Sequence, residues 1–109
     1  MKTLKTTRRT NLGAPMVNLH PFTNATRSLQ GGTVDAFARD CYGRTRGWLA
    51  GADLDQWDAD IDDVDYVITS YATPIAWHTP RGWHLVDQRF SVTTSRHQSQ
   101  VRSGLRTIE

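Results

Sequence analysis

The stretch Asp65–Leu105, DYVITSYATPIAWHTPRGWHLVDQRFSVTTSRHQSQVRSGL, decides the fold. Tyr66 to Tyr71 is rich in β-branched and aromatic residues, which predicts a strand. Pro74 belongs at a sheet edge or at the start of the next strand. Thr79-Pro80-Arg81-Gly82 is a turn signal, with Pro at its second position and Gly supplying a positive φ. A three-residue Pro80-Arg81-Gly82 loop pairs Thr79 with Trp83, His78 with His84 and Trp77 with Leu85. Phe90-Ser91-Val92 continues the meander. Ser95 and Gln98 then form a capping box that opens a helix over Arg96–Ser103, with Gly104 closing it. His97, Val101 and Leu105 fall on one face of that helix.

Working outward, residues 1–14 are polar and basic and predict a mobile arm ahead of one globular domain over 15–109. Met16–Leu19 predicts a short strand, and Phe22–Gly32 a loop. Thr33 to Tyr42 predicts a helix, with Val34, Phe37, Ala38 and Cys41 forming one apolar stripe. Cys41 on that stripe is a buried small hydrophobe, and as the lone cysteine it fits a reducing compartment. Residues 54–60 predict one or two helical turns with an acidic outer face. Trp48, Trp57, Ile68, Ile75, Leu85, Val92 and Val101 are the expected core.

The formal charge of +2 conceals blocks of one sign. Lys2, Lys5, Arg8, Arg9 and Arg27 have no acid among them, while residues 53–65 hold seven aspartates and no base. Arg81, Arg89, Arg96, Arg102 and Arg106 follow. Such blocks mark solvated or partner-facing surface. No window approaches the roughly 18 apolar residues of a membrane span. MKTLKTTRRT has no apolar run behind its positive residues, so a cytoplasmic protein is expected.

Three stretches carry candidate chemistry. The aspartates Asp53, Asp55, Asp58, Asp60, Asp62 and Asp63 predict an acidic, partner-facing surface. Asp58-Ala-Asp60-Ile-Asp62 copies the first half of a calcium loop, but Asp63 replaces the required Gly and Thr69 the bidentate Glu, so no metal is expected. The pairing given above would bring His78 and His84 onto one face as two zinc nitrogens, yet nothing completes a four-ligand set. Thr93, Thr94, Ser95, Arg96 and His97 combine hydroxyls, a cation and a helix start, an arrangement suited to phosphate. Trp77 and Trp83 are expected beside them as exposed aromatics. A Ser95–His97 nucleophile–base pair lacks an orienting acid in the sequence, so no catalytic set is assigned.

Ser70-Tyr71-Ala72-Thr73-Pro74-Ile75-Ala76-Trp77 and Phe90-Ser91-Val92-Thr93-Thr94-Ser95-Arg96-His97-Gln98 together resemble a family of small uncharacterised proteins of actinobacterial phages and their relatives. The family's segments read SYxTPIAW and YSVTTSRHQ, and Pro21–Gly31 resembles its amino-terminal portion. The resemblance spans about residues 16–105. Phe90 stands where the family has Tyr, so no hydroxyl is needed there. The resemblance implies a phage setting and supplies no mechanism.

The expected fold is α+β: a small antiparallel meander of three to four strands with two or three short helices on one face. The leading functional expectation is a non-enzymatic module binding a host or phage protein through the acidic run and exposed aromatics. The alternative is a nucleic-acid-binding accessory protein using the basic arm and the Arg-bearing helix. A Ser/His hydrolase is the minor alternative. No cofactor is expected.

Overall fold

The computed structural model describes residues 3–33 and 47–108. These residues form a six-stranded sheet in the order β1 (Leu4–Thr6), β2 (Phe22–Asn24), β3 (Leu29–Thr33), β4 (Tyr66–Ser70), β5 (Thr73–Thr79) and β6 (Gly82–Leu85). The β1–β2 pair is parallel and all the others are antiparallel. The helices are α1 (Gly13–Val17), α2 (Gly51–Asp60) and α3 (Val92–Ile108), and a 3-10 turn over Ile61–Asp63 follows α2. The fold is α+β as expected, but with six strands in place of three to four.

The helices also cover both faces of the sheet rather than one. Successive strand side chains point to opposite faces. Tyr66 and Ile68 therefore meet Leu12, Met16 and Val101 from the α1 and α3 side, whereas Val67 joins Trp57, Trp77 and Val86 on the α2 side. A β-bulge at Ile68/Thr69 pairs Ile68 with Ala76 and Thr69 with Pro74. Ile75 is the extra residue, so Ile75 and Ala76 both serve the first cluster. The β-rich centre of the sheet thus supplies two cores from one strand pair.

Several expectations are corrected by packing that pattern alone does not show. Leu4–Thr6, within the segment read as a mobile arm, pairs with β2, and the side chain of Gln100 donates to the carbonyls of Thr7 and Thr10 at 2.8 Å each. Met16 lies in α1 rather than in a strand, because Pro15 falls in the first helical turn, where no N–H is missed. Phe22–Gly32 is a hairpin, not a loop: Phe22 pairs with Gly31, and Gly31 leaves the space that the Phe22 ring occupies. Of the Thr33–Tyr42 helix, Thr33 ends β3 and the remainder lies outside the described residues, as does Cys41.

The helix expected over residues 54–60 is present and longer. Asp is a poor helix former, so packing holds it. Trp57 is fully buried and meets Trp77 edge-on with ring centroids 4.8 Å apart.

Phe90–Val92 is not a strand, since α3 begins at Val92. Ser91 caps it, its Oγ accepting from the Thr94 N–H at 3.1 Å, the third helical position. Ser95 is one turn inside, donating its N–H to the Ser91 carbonyl. Gln98 completes no capping box; its amide donates to the carbonyls of Val86 and Gln88. Gly104 does not end the helix either. It is buried where α3 crosses α1, and a side chain there would strike the backbone of Leu12 and Gly13.

Trp57, Ile68, Ile75 and Val101 are core residues, and Leu85 packs against the core partly buried. Trp48 and Val92 are not: they are 79% and 73% exposed.

Candidate functional site

The β5–β6 hairpin settles the histidine and tryptophan candidates. Thr79 pairs with Gly82, His78 with Trp83 and Trp77 with His84, one residue away from the expected register. Gly82 adopts φ +120°, which lets pairing begin at the glycine itself. A one-residue slip moves a side chain to the other face. His78 accordingly lies 2.8 Å from Asp65 and edge-on to Trp83, while His84 stacks on Trp77 and meets Asp53 of α2 at 3.0 Å. The two imidazoles are on opposite faces and share no ligand. Trp77 is fully buried under α2, and Trp83 packs edge-on against Tyr66, so neither joins the hydroxyl-rich turn.

The acidic run divides in the same way. Asp60 is buried and is not part of the surface. Its carboxylate accepts from Trp77 Nε1 at 2.9 Å, from Gln56 at 3.0 Å and from Arg81 at 2.8 Å. Burial pushes its pKa up, but these donors outweigh burial and hold it below the usual carboxylate value. Asp63 pairs with Arg81, and Asp53 is taken by His84. Asp55, Asp58 and Asp62 remain exposed. Among the described residues, no group of three or more His, Cys, Asp or Glu is placed to hold a metal ion.

The remaining candidates do come together. Thr93, Ser95 and Arg96 are exposed on α3, and Thr94 and His97 are buried beneath them. Ser70 Oγ, at the end of β4, lies 2.7 Å from His97 Nδ1 and 3.0 Å from Thr94 Oγ1. Thr94 Oγ1 in turn accepts from Ser91 Oγ at 3.2 Å. Burial pushes the His97 pKa down, which favours the neutral ring. His97, the base that the minor hydrolase alternative would need for Ser95, is bonded to Ser70 instead, and no carboxylate lines the groove beside it among the described residues.

That groove encloses about 1230 Å³. One wall is the face of α3 carrying Val92, Arg96, Ser99 and Ser103, spaced so that all four share one side of the helix. A second is the Thr7–Thr10 turn, which carries Arg8 and Arg9 at its tip. The Thr7 N–H donates to Thr10 Oγ1 at 2.9 Å, and Gln100 of α3 ties both ends of the turn down. The third wall is the β2–β3 turn, where Asn24 donates to Ser28 Oγ at 2.9 Å. Tyr71 closes one end with 58% of its surface exposed.

Arg96 lies 87 or more positions from Arg8 and Arg9 in sequence, yet all three share one groove, with no Asp or Glu among its described lining. Arg8 and Arg9 were visible in the sequence as part of the basic arm. Tyr71 lies within SYATPIAW, but nothing local in the sequence marks the turn that presents it.

No helix of the described residues is long and apolar enough to cross a membrane. No curated protein and no solved structure matches the chain. A family profile described as "Family of unknown function (DUF8033)" matches residues 16–107, nearly the whole chain, and the protein belongs to that family.

Proposed function

We propose that this protein binds single-stranded nucleic acid along the groove between α3 and the Thr7–Thr10 turn. The observation that carries the reading is the convergence of Arg8, Arg9 and Arg96 with exposed Tyr71, in a groove whose described lining has no carboxylate. Guanidinium groups neutralise backbone phosphates and release counterions, and an exposed aromatic offers a face on which a base stacks. Thr93, Ser95 and Ser99 add hydroxyl donors along the same wall. The likeness of Ser70–Trp77 and Phe90–Gln98 to actinobacteriophage proteins supports work in a host cytoplasm.

Fluorescence anisotropy with a labelled oligothymidylate tests this. Each phosphate contact on a single strand contributes a slope of about −0.7 to log K against log salt. Three arginine contacts therefore give a slope of about −2, and Arg96→Ala reduces it by about 0.7. Salt-independent binding, or no binding at low salt, refutes the proposal.

A protein partner for the acidic side is the second reading. It rests on Asp55, Asp58 and Asp62, which stay exposed on α2 and the turn after it. Capture of one host protein, undiminished by nuclease and lost in a triple Asp→Asn variant, supports that reading.

A further inference from the structure

Beside the basic groove lies a second recess of about 500 Å³, lined by Trp48, Phe90 and Tyr71 above Ser70, Ser91 and Thr94. Tyr71 borders both spaces. We infer that this recess takes one unstacked nucleobase of the strand whose phosphates run in the groove. The inference rests on the nucleic-acid reading above and names the part of the ligand that it leaves open.

The volume lies within the roughly 300–1,000 Å³ of small-molecule sites, which combine apolar walls with a few polar groups. A scattered exposed aromatic needs no explanation. Here, however, two aromatics are held out of the core by fixed backbone. The Trp48 N–H donates to Thr73 Oγ1 at 3.0 Å, and its carbonyl accepts from Gln88 Nε2 at 2.8 Å. Gln88 Oε1 accepts from the Ala50 N–H at 2.8 Å, so the backbone on both sides of Leu49 is pinned while the indole stays 79% exposed.

Tyr71 is fixed at greater cost. It and Ala72 form the two-residue β4–β5 turn at φ +49° and +65°, the left-handed region that such turns usually fill with Asn or Gly. A non-glycine residue there is strained, because its Cβ crowds the carbonyl oxygen that follows. Its N–H donates to the Ser28 carbonyl at 2.9 Å. Strain of this kind collects at ligand clamps, and this one places a phenol ring between two cavities.

The floor suits a base edge. Ser91, Thr94 and Ser70 are bonded in series and end on His97 Nδ1. Hydroxyls rotate to donate or accept, so a chain of them accommodates the edge of any base. Recognition by stacking over such a floor is indifferent to sequence.

The test compares the full-length protein on two labelled strands of equal length, an oligothymidylate and an abasic oligomer with the same phosphates. Stacking of one base predicts binding to the thymidylate roughly 5- to 150-fold tighter than to the abasic strand. Trp48→Ala, at an exposed position, removes that ratio and leaves abasic binding unchanged, with circular dichroism confirming the fold. Arg96→Ala weakens both strands together. Equal, salt-dependent binding of the two strands overturns the base recess while the groove reading stands. A ratio that survives in both Trp48→Ala and Tyr71→Ala also overturns it. Absence of binding to either strand overturns both readings.

Discussion

Ser70 Oγ and His97 Nδ1 stand 2.7 Å apart, joining the end of the central strand β4 to the first turns of α3. The bond places a titratable ring, 8% exposed, beneath the wall of the basic groove. Burial holds the folded His97 pKa below its ordinary 6.5. In the unfolded chain the ring titrates near 6.5, so on acidification the unfolded state takes up the proton first. The contribution of neutral His97 is therefore complete above about 6.5 and is lost as pH falls from there through the lowered folded value. Thermal melts between pH 7.5 and 5 should show Tm falling across that window, and His97→Gln should flatten the fall. An unchanged slope in the variant would assign the acid sensitivity to other groups.

Asp60 makes the opposite wall of the molecule depend on one carboxylate. Its folded pKa is lowered, so its contribution is present above the ordinary value of 3.8 and disappears as pH falls through the folded one. Asp60→Ala leaves the indole N–H of buried Trp77 without its acceptor, at a cost of about 1–3 kcal/mol. Asp60→Asn keeps an oxygen for Trp77 and removes the charge that Arg81 meets, so it should lose less. Urea unfolding followed by tryptophan fluorescence measures both. Equal losses would show that charge, not the buried hydrogen bond, is what matters.

These two residues also show what the sequence disclosed. The β-branched and aromatic residues of Tyr66 to Tyr71 announced a strand, and His97 with Val101 announced one face of a helix; both elements are observed. Asp60 looked like its neighbours in an acidic run, because no local signal separates the one aspartate that Trp77 and Arg81 enclose. Short elements were lost for a related reason. The three residues of β1 owe their strand to partners 18 positions away, as in Leu4 with Phe22, and the three of β2 lie between β1 and β3, as in Phe22 with Gly31. In the candidate site, the local run Thr93–His97 was legible, whereas Arg8, Arg9 and Tyr71 reach the same groove only through long-range contacts. Trp77 and Trp83 were misplaced by a single step of hairpin register.

The β4–β5 turn offers a substitution that should stabilise. Ala72 is exposed at φ +65°, where a Cβ is unfavourable by about 1–2 kcal/mol and glycine is not. Glycine loses about 0.4–1 kcal/mol of that gain through the freer unfolded chain. Ala72→Gly should therefore gain roughly 0.5–1 kcal/mol in chemical denaturation. A loss of stability would mean that the Ala72 methyl packs in a way its exposure does not suggest. If loosening Tyr71 also weakens oligothymidylate binding without changing abasic binding, the rigid turn is part of the recess.

Gly104 poses the reverse case, since helix propensity and packing predict opposite signs. In the middle of an exposed helix, Gly→Ala gains about 1 kcal/mol. At Gly104 a methyl group would lie 2.9 Å from the Gly13 nitrogen and 2.9 Å from the Leu12 carbonyl carbon. Both are backbone atoms, so no side chain can swing aside. α1 must then move off α3, drawing with it Leu12 and Met16, which are fully buried in the core. Overpacking of this kind costs about 1–3 kcal/mol, enough to reverse the propensity gain. Gly104→Ala should thus lower Tm, and Gly104→Ser should lower it further. The α1–α3 crossing also precedes the chain's entry into β2, whose turn walls the groove, so Gly104→Ala should weaken binding of both strands equally. A stabilised Gly104→Ala protein would mean that the two helices are not in close contact.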